Sequence, residues 1–401
     1  MECLNDKGEI FYKEFKNYEK GWEKVAVDAK LIREDPVSEK GHETFLPRGA
    51  VLREILYNYL YSMHVEEDAF FMRTPLLCDY SNDAVKNHAE LSGEGIYHTL
   101  SSGNDLILKH GTLFTQLQLM SAKPLKLNSL PLKIFEIADC HRMEEETNLL
   151  CRTRQFSMID MHIILRDIND CKDEAKRINE KILGIFSALG LELEAEYTVE
   201  AELLKDKEFL KSLITQQGEP VWLKRSDGSK KRPINVEYYS AGIEVAAFQI
   251  DGGNPEKFGL ELEDGQRPLI MHVSFAGSIE RLIYALMKKA VSEERLPEWL
   301  APEQARIISE RPQEVQEMAA KLKQRGMRVT IDDRNIHNDK KSELAKKALV
   351  PLLIQHKNNE FFMDGQLIED LYGFLLNRIS EYKVPATFPV RLSRWPEAFR
   401  V

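Results

Sequence analysis

The chain has 401 residues, of which 43% are hydrophobic and 30% charged, and its formal net charge at pH 7 is -10. This length exceeds one ordinary hydrophobic core, so we expect two or three domains, and the acidic balance excludes a non-specific nucleic-acid coat. Five scattered cysteines without a CxxC pair, no signal-peptide core and no apolar run of bilayer length predict a cytoplasmic protein with no membrane span.

The first part of the chain changes from polar segments to alternating helices and strands. Residues 1–44 are polar and loop-rich, and we expect them to be an extension. The segment FLPRGAVLREILYNYLYSMHV then has apolar residues at helical spacing, and DAFFMRTPLL predicts a strand that stops near Pro75. Between 97 and 165, turn residues separate short apolar segments that predict strands, most clearly YHTLSS, DLILKH, KIFEIADCHRME and RTRQFSMIDMHII.

The middle of the chain adds helices to this pattern. DINDCKDEAKRINEKILGIFSALG predicts an amphipathic helix that ends at Gly190. INVEYY and IEVAAFQID predict paired strands, and GSIERLIYALMKKAV predicts a helix that begins at Gly-Ser. Residues 45–296 are therefore expected to form an α+β domain, an antiparallel sheet flanked by helices.

Residues 297–401 follow a different order. After the proline-flanked boundary PEWLAP, the strands ARIIS, MRVTIDD and VPLLIQ alternate with the helices PQEVQEMAAKLKQRG and KKSELAKKAL. This βαβαβ order predicts a small α/β domain with a largely parallel sheet. The closing segment FPVRLSRWPEAFRV has no assigned role.

Charged residues recur at strand spacing in CHRMEEETNLLCRTRQF, residues 140–156. Arg142 and Glu144 are two apart, as are Arg152, Arg154 and Phe156, so each set is expected on one strand face, and a hairpin can bring the faces together. A forked cation, a carboxylate and an aromatic ring suit a nucleotide. The alternative is a surface ladder of cross-strand ion pairs.

Two further basic features carry their own alternatives. Arg281 lies inside the otherwise apolar helical segment of HVSFAGSIERL, and we favour ligand binding there over a structural ion pair. The densest basic run, KRSDGSKKR at 224–232, either touches RNA phosphate or is a solvated hairpin tip, and the second interpretation is favoured.

Several of these segments together resemble a known enzyme family. FEIADCHRME and RTRQF resemble motif 2 of the class II aminoacyl-tRNA synthetases, GSIERL resembles motif 3, and the helix and strand ending at Pro75 resemble motif 1. More narrowly, RTRQFSMIDMHI and PLIMHVSFAGSIERLIYALM are similar to segments of archaeal-type threonyl-tRNA synthetases, over about residues 45–355. The resemblance implies a homodimeric, ATP- and Mg²⁺-dependent ligase that acts on an amino acid and tRNA, with an anticodon-binding-like domain over 297–401. Because the chain starts just before the catalytic domain, we expect no editing domain.

The resemblance also implies roles for individual residues in ATP binding. Arg142 is expected to hold the α-phosphate and the amino-acid carboxylate, and Arg142 and Arg281 are the expected catalytic pair. Glu144 is expected to meet the adenine amino group and Phe156 to stack on adenine. Arg152 and Arg281 are expected at the outer phosphates, and Gln249 matches a family glutamine near the nucleotide.

The amino-acid pocket is where the chain departs from the family. The resemblance gives the amino-acid-binding set Met158, Asp160, His162 and His272. The family binds threonine through zinc held by one Cys and two His; His162 and His272 match the histidines, but Leu113 stands at the cysteine position. Leucine cannot ligate a metal. Zinc is therefore in doubt: either His110 substitutes after a local shift, or the histidines hydrogen-bond a different substrate.

Three functions remain open from the sequence. The motif 2 loop is shorter than in the family, DKKSE at 339–343 replaces a family G-F-K-I-R, and Asn335 is the anticodon-reading position that still aligns. The favoured function is a threonyl-tRNA synthetase with a divergent pocket. The alternatives are a paralogue that activates an amino acid for a carrier protein or small molecule, and a non-catalytic regulatory protein.

Overall fold

The computed structural model describes residues 2–13, 21–83, 85–86, 89, 95–101, 103–379, 381–382, 384–385 and 387–401. The chain divides into two compact units. The first takes the chain up to residue 20 and residues 60–285, and the second takes residues 21–59 and 286–401. The domain bounds at 45 and 297 that the sequence suggests stay a prediction.

Strands and helices alternate along the described chain. The strands are β1 (Glu2–Leu4), β2 (Ile10–Tyr12), β3 (Ile32–Glu34), β4 (Glu43–Phe45), β5 (Phe70–Phe71), β6 (Leu77–Asp79), β7 (His98–Ser101), β8 (Asn104–Leu108), β9 (Leu132–His141), β10 (Gln155–Leu165), β11 (Glu194–Glu200), β12 (Val221–Ser226), β13 (Ile234–Ser240), β14 (Ile243–Asp251), β15 (Leu269–Ser274), β16 (Ala305–Ser309), β17 (Val329–Asp332), β18 (Leu352–Lys357), β19 (Glu360–Met363) and β20 (Gln366–Ile368). The α-helices are α1 (Trp22–Asp28), α2 (Pro47–Val65), α3 (Leu113–Met120), α4 (Ile168–Leu189), α5 (Lys207–Gln217), α6 (Gly253–Lys257), α7 (Ile279–Glu293), α8 (Pro312–Gln324), α9 (Asn338–Lys347) and α10 (Leu371–Leu376). None of these helices combines the length and apolarity needed to cross a bilayer.

One large sheet organises the first unit. Within the described residues its ten strands follow the order β2-β1-β12-β11-β13-β14-β15-β10-β9-β5, and adjacent strands are antiparallel except for β11 with β12 and β5 with β9. The largely antiparallel sheet expected from the sequence is confirmed. A smaller sheet, β6-β8-β7, and helix α3 share a core that includes Ile107, Phe114 and Leu117.

Helix α4 shows why the strongest sequence pattern is also the most reliable. Its apolar residues recur at helical spacing, and Ile178, Ile182 and Phe186 are buried. The side chain of Asp167 accepts hydrogen bonds from the first-turn amides, and Gly190 ends the helix with φ 67°. The helix predicted over this segment is confirmed at both ends.

The strands that carry the charged motif are shorter than the sequence predicts. Strand β9 ends at His141 and β10 begins at Gln155, so the charged residues between them lie in the connecting loop. The amide of Glu144 bonds back to the carbonyl of Arg142, and Leu150 has φ 64°, so the backbone turns instead of remaining extended. The strand expected in DAFFMRTPLL is likewise reduced to Phe70–Phe71.

The second unit contains the predicted βαβαβ arrangement. In the part of this unit that the structure describes, five strands form a sheet with the order β17-β16-β18-β19-β20, and β16 is parallel to both β17 and β18. Strands β19 and β20 form an antiparallel extension that the sequence did not predict. The closing segment lies along the edge strand β17, where the amide of Ile331 donates to the carbonyl of Val390 at 2.8 Å.

Candidate active site

A pocket of about 840 Å³ opens on the large sheet of the first unit. Its wall is built from strands β10, β14 and β15 and from the loop that precedes α3. Side chains two apart on a strand share a face, so the alternating residues Met158, Asp160 and His162 of β10 all line this pocket. The register then places His162 opposite His272, and His272 opposite Gln249, in one row across three strands.

Arg142 lies at the end of the β9–β10 hairpin and also lines the pocket. Its amide donates to the carbonyl of Arg154 at 2.9 Å, which continues the hairpin ladder one step beyond the strands. The guanidinium carbon is 5.0 Å from the centre of the Phe156 ring, within cation–π distance. Nε and Nη2 both donate to the carbonyl of His110 at 3.3 Å. The guanidinium is thus held in place by a ring and a backbone carbonyl.

The other two charged residues of the motif pair with each other. Nε of Arg152 is 2.7 Å from a carboxylate oxygen of Glu144, and the Arg152 side chain is 61% exposed. Neither residue lines the pocket. The alternative that the sequence left open, a cross-strand ion pair, therefore describes Arg152 and Glu144, and such an exposed pair adds little stability.

Arg281 sits in the first turn of α7. The Ser278 hydroxyl accepts a hydrogen bond from the Arg281 amide at 3.2 Å and caps the helix. The preceding Gly277 has φ 57°, and a side chain there would crowd Val245 at 3.2 Å. The guanidinium donates from Nη1 to a carboxylate oxygen of Glu244 at 3.2 Å and from Nε to a backbone carbonyl at 3.1 Å.

Glu244, which the sequence did not single out, lines the pocket beside Arg281. Burial raises the pKa of its carboxyl, against the opposing influence of the Arg281 charge. Arg281 itself is not among the residues that line the pocket. Its guanidinium therefore contacts a residue of the pocket wall, Glu244, and does not itself line the pocket.

Asp160 lies two residues before His162 on β10 and lines the same pocket. Burial raises the pKa of its carboxyl to about 6, although hydrogen bonding by Ser274 and the electrostatic influence of His272 and Arg142 act in the opposite direction. The Thr112 hydroxyl is 3.4 Å away. A carboxylate with this pKa is charged at neutral pH and is suited to holding an ammonium group.

Both histidines of the row have polar partners that the sequence did not predict. Nδ1 of His162 is 2.8 Å from the side-chain oxygen of Gln116, and Nε2 of His272 is 3.1 Å from a carboxylate oxygen of Asp251. The two rings pack edge to face with their centres 5.0 Å apart. The partners lie 46 and 21 residues away in the chain, so only the tertiary fold brings them together.

The histidines do not fit a zinc site. Zinc is held by at least three protein ligands, and the third position, Leu113, lines the same pocket with a hydrocarbon side chain. Across the described part of the chain, no group of three or more His, Cys, Asp or Glu side chains is placed to hold a metal ion. His110 contributes its backbone carbonyl to Arg142 and packs its ring on Phe114.

The basic run of the sequence lies at the mouth of the pocket. Its residues from Ser229 to Arg232 line the pocket while Lys230 and Lys231 stay exposed. Nε of Arg232 is 3.8 Å from Asp251, and Lys231 pairs with Glu256. The hairpin tip is solvated, as the favoured interpretation expects, but it also contributes to the wall of the site.

A family model for the tRNA synthetase class II core domain (G, H, P, S and T) matches residues 98–290. The chain is 30% identical over 400 residues to a threonine--tRNA ligase of Caldivirga maquilingensis, covering 90% of this chain and 65% of that protein. It is 32% identical over 344 residues to a threonine--tRNA ligase of Pyrobaculum arsenaticum, covering 80% of this chain and 56% of that protein. The chain thus spans less than two thirds of the length of these relatives.

Solved structures share the fold at lower sequence identity. A putative threonyl-tRNA synthetase from Aeropyrum pernix superposes with a TM-score of 0.71 at 17% identity, covering 93% of this chain and 99% of that one. The RNA binding domain of a threonyl-tRNA synthetase from Cryptosporidium parvum gives a TM-score of 0.77 at 20% identity, covering 90% and 98%. At these identities the likeness establishes the fold alone.

Proposed function

The chain carries a class II tRNA synthetase core domain over residues 98–290, and from this premise we propose that it activates threonine with ATP and transfers it to tRNA. The observation that supports this function is the position of Arg142. Its guanidinium, fixed by Phe156 and by the carbonyl of His110, lies at the same pocket as Asp160 and the two histidines. One forked cation can therefore contact both an α-phosphate and an amino-acid carboxylate.

Charge neutralisation and positioning are sufficient for the chemistry of this step. A carboxylate oxygen of the amino acid attacks the α-phosphorus of MgATP, the bond to the bridging oxygen breaks, and pyrophosphate leaves with the electron pair. No covalent intermediate with the protein is needed. Arg142 reduces the repulsion between the two anions, and Asp160 holds the substrate ammonium. Aminoacyl transfer to tRNA is part of the same proposal.

The remaining nucleotide contacts require two arginines to change partners. Arg152 and Arg281 are each bound to a carboxylate, Glu144 and Glu244. Phosphate oxygens compete with these carboxylates for the guanidinium groups when MgATP binds. We assign the outer phosphates to these two arginines.

The other residue and assembly assignments come from the family resemblance. Phe156 is assigned to adenine stacking, Glu144 to the adenine amino group, and Gln249 and Met158 to the nucleotide and amino-acid sides of the pocket. A homodimer, cytoplasmic localisation and an anticodon-binding role for the second unit belong to the same proposal.

The test is amino-acid-dependent ATP–pyrophosphate exchange, run with each of the standard amino acids. We expect exchange with threonine, and Arg142→Ala should reduce it by about 100- to 1,000-fold, because it removes a charge that neutralises the reacting anions. The matched control is Arg166→Ala, since Arg166 is exposed, pairs with Asp264 at 3.5 Å and does not line the pocket. Thermal unfolding of both variants shows whether they fold, and charging of tRNA is measured with the same preparations.

Each result has a distinct meaning. Threonine-dependent exchange that Arg142→Ala abolishes and Arg166→Ala retains supports the proposal. A folded Arg142→Ala variant with full exchange refutes the assignment of Arg142. Exchange with a different amino acid replaces threonine as the substrate, and absence of exchange with every amino acid, with tRNA present as well as absent, refutes the enzyme.

A further inference from the structure

The two pocket histidines are held in orientations that suit hydrogen bonding. Gln116 is fully buried, and its amide nitrogen lies 3.5 Å from a carboxylate oxygen of Glu136. Because a carboxylate accepts and an amide nitrogen donates, this contact turns the amide oxygen of Gln116 toward Nδ1 of His162. His162 therefore carries its proton on Nδ1 in the neutral ring.

A carboxylate orients His272 in a similar way. The oxygens of Asp251 accept hydrogen bonds from the amides of Gly253 and Asn254 at 2.7 and 2.9 Å and from the Asn254 side chain at 2.8 Å. The carboxylate of Asp251 accepts a hydrogen bond from Nε2 of His272 at 3.1 Å. Nδ1 is then the acceptor nitrogen of the neutral ring.

The wall of the pocket also includes apolar side chains. Leu113 and Met158 line the same pocket, and the Leu113 side chain is largely buried. An amino acid with a small side chain can therefore place apolar surface against Leu113 and Met158, and a hydroxyl against His272. A hydroxyl both donates and accepts, so it suits an imidazole of fixed orientation.

We propose that this pocket recognises a small hydroxyl-bearing amino acid without a metal ion, through hydrogen bonding to His272 as oriented by Asp251. The proposal rests on the proposed function for the identity of the reaction, and it replaces the zinc–hydroxyl contact of the family with a contact of this chain's own residues. His272 is the specificity-determining residue, and Asp251 is a positioning residue. Valine is then disfavoured because it has no hydroxyl and would leave the acceptor nitrogen of His272 without a hydrogen-bond donor.

The first readout does not depend on activity. The purified chain is incubated with excess zinc, passed through a desalting column and analysed for metal. We expect less than about 0.1 zinc per chain, since a site with two histidines lacks the three protein ligands that zinc requires. A content near one zinc per chain that His272→Phe removes would overturn the metal-free pocket.

The second readout measures selectivity. The ratio of kcat/KM for threonine to that for valine in pyrophosphate exchange is determined with and without a zinc chelator, for the wild type and for His272→Phe. We expect the chelator to leave the ratio unchanged. We expect His272→Phe to lower the ratio by about tenfold or more while sparing valine, because a phenyl ring keeps the volume and loses the acceptor. The matched control is His98→Phe, at an exposed histidine that pairs with Asp105.

The two proposals fail in different ways. If His272→Phe leaves the threonine-to-valine ratio unchanged, or if the chelator removes the preference for threonine, metal-free selection is refuted while activation of threonine stands. If the chain activates no amino acid, the proposed function fails, and calorimetric titration with threonine and valine becomes the test of the pocket. Equal or absent binding of the two amino acids then overturns the inference, and preferential, chelator-resistant binding of threonine upholds it.

Discussion

Replacing Asp160 by Asn should make the protein more stable at neutral pH and inactive at the same time. The carboxyl is isosteric with the amide, so packing is preserved. Burial raises its pKa from 3.8 to about 6, so the native state retains the proton more tightly than the unfolded chain does. Below pH 3.8 both states are protonated and the group has no effect on stability. As the pH rises from 3.8 to about 6, the unfolded chain loses this proton before the folded state does, so the folded state loses stability relative to the unfolded chain.

The size of the effect follows from the width of the window. A shift from 3.8 to about 6 corresponds to about 3 kcal/mol as an upper bound. The Asp160 side chain is only partly buried, so solvent screening lowers the expected gain for Asp160→Asn to about 1–2 kcal/mol above pH 7. The activity should change in the opposite direction, because a neutral amide cannot hold the substrate ammonium as a carboxylate does.

The assay is urea unfolding of the wild type and Asp160→Asn at pH 4 and pH 8, with pyrophosphate exchange on the same samples. The difference in free energy of unfolding should be near zero at pH 4 and favour the variant at pH 8. The acidic measurement is the internal control, since other titrating groups are shared by the two proteins. A variant that is less stable at pH 8, or equally stabilised at both pH values, would show that burial of this charge has been misjudged.

Two further predictions concern stability. Lys109→Met should cost about 3–5 kcal/mol in urea unfolding, because Lys109 and Glu136 form a buried pair at 2.7 Å and the carboxylate would lose its cation. A variant as stable as the wild type would contradict this. Asp333→Asn should increase amide hydrogen exchange across residues 388–395 by about tenfold. The reason is that Asp333 accepts hydrogen bonds from Arg391 at 2.5 Å and from the amide and hydroxyl of Ser393 at 2.8 and 2.5 Å. Unchanged exchange there would mean that other contacts hold this segment.

The sequence predicts those elements whose evidence is local. Helix α4 has an uninterrupted apolar stripe with a cap at each end, and the βαβαβ order follows from segments that alternate cleanly between the two periodicities. The prediction is wrong about where β9 ends and where β10 begins. Alternating charged residues match the strand period equally well in a loop, and this loop turns at Leu150. Periodicity indicates which faces residues share only while the backbone stays extended.

The candidate site can be predicted only in part, because some of its residues are brought together by tertiary contacts that leave no local sequence pattern. His162, His272 and Gln249 were named from the family resemblance, and the register of β10, β15 and β14 then places them in one row. Gln116 and Asp251 have no sequence pattern of their own, since each acts through a contact that depends on tertiary pairing. A polar residue that orients another residue is therefore the kind of site member that sequence reasoning misses.

Burial decides which of the ion pairs around the pocket can exchange partners. Arg281 with Glu244 and Arg152 with Glu144 are half-exposed or exposed, so each pair contributes at most about 1 kcal/mol and is readily exchanged for a phosphate. The Asp251 carboxylate is 2% exposed and is held by two amides and a side chain besides His272, so separating it from the imidazole would leave a buried carboxylate oxygen without its hydrogen-bond donor. Carboxylates therefore hold Arg152 and Arg281 in contacts that a phosphate can replace, whereas a carboxylate keeps the His272 imidazole fixed. Fixed orientation is what a pocket needs to reject an isostere by hydrogen bonding alone.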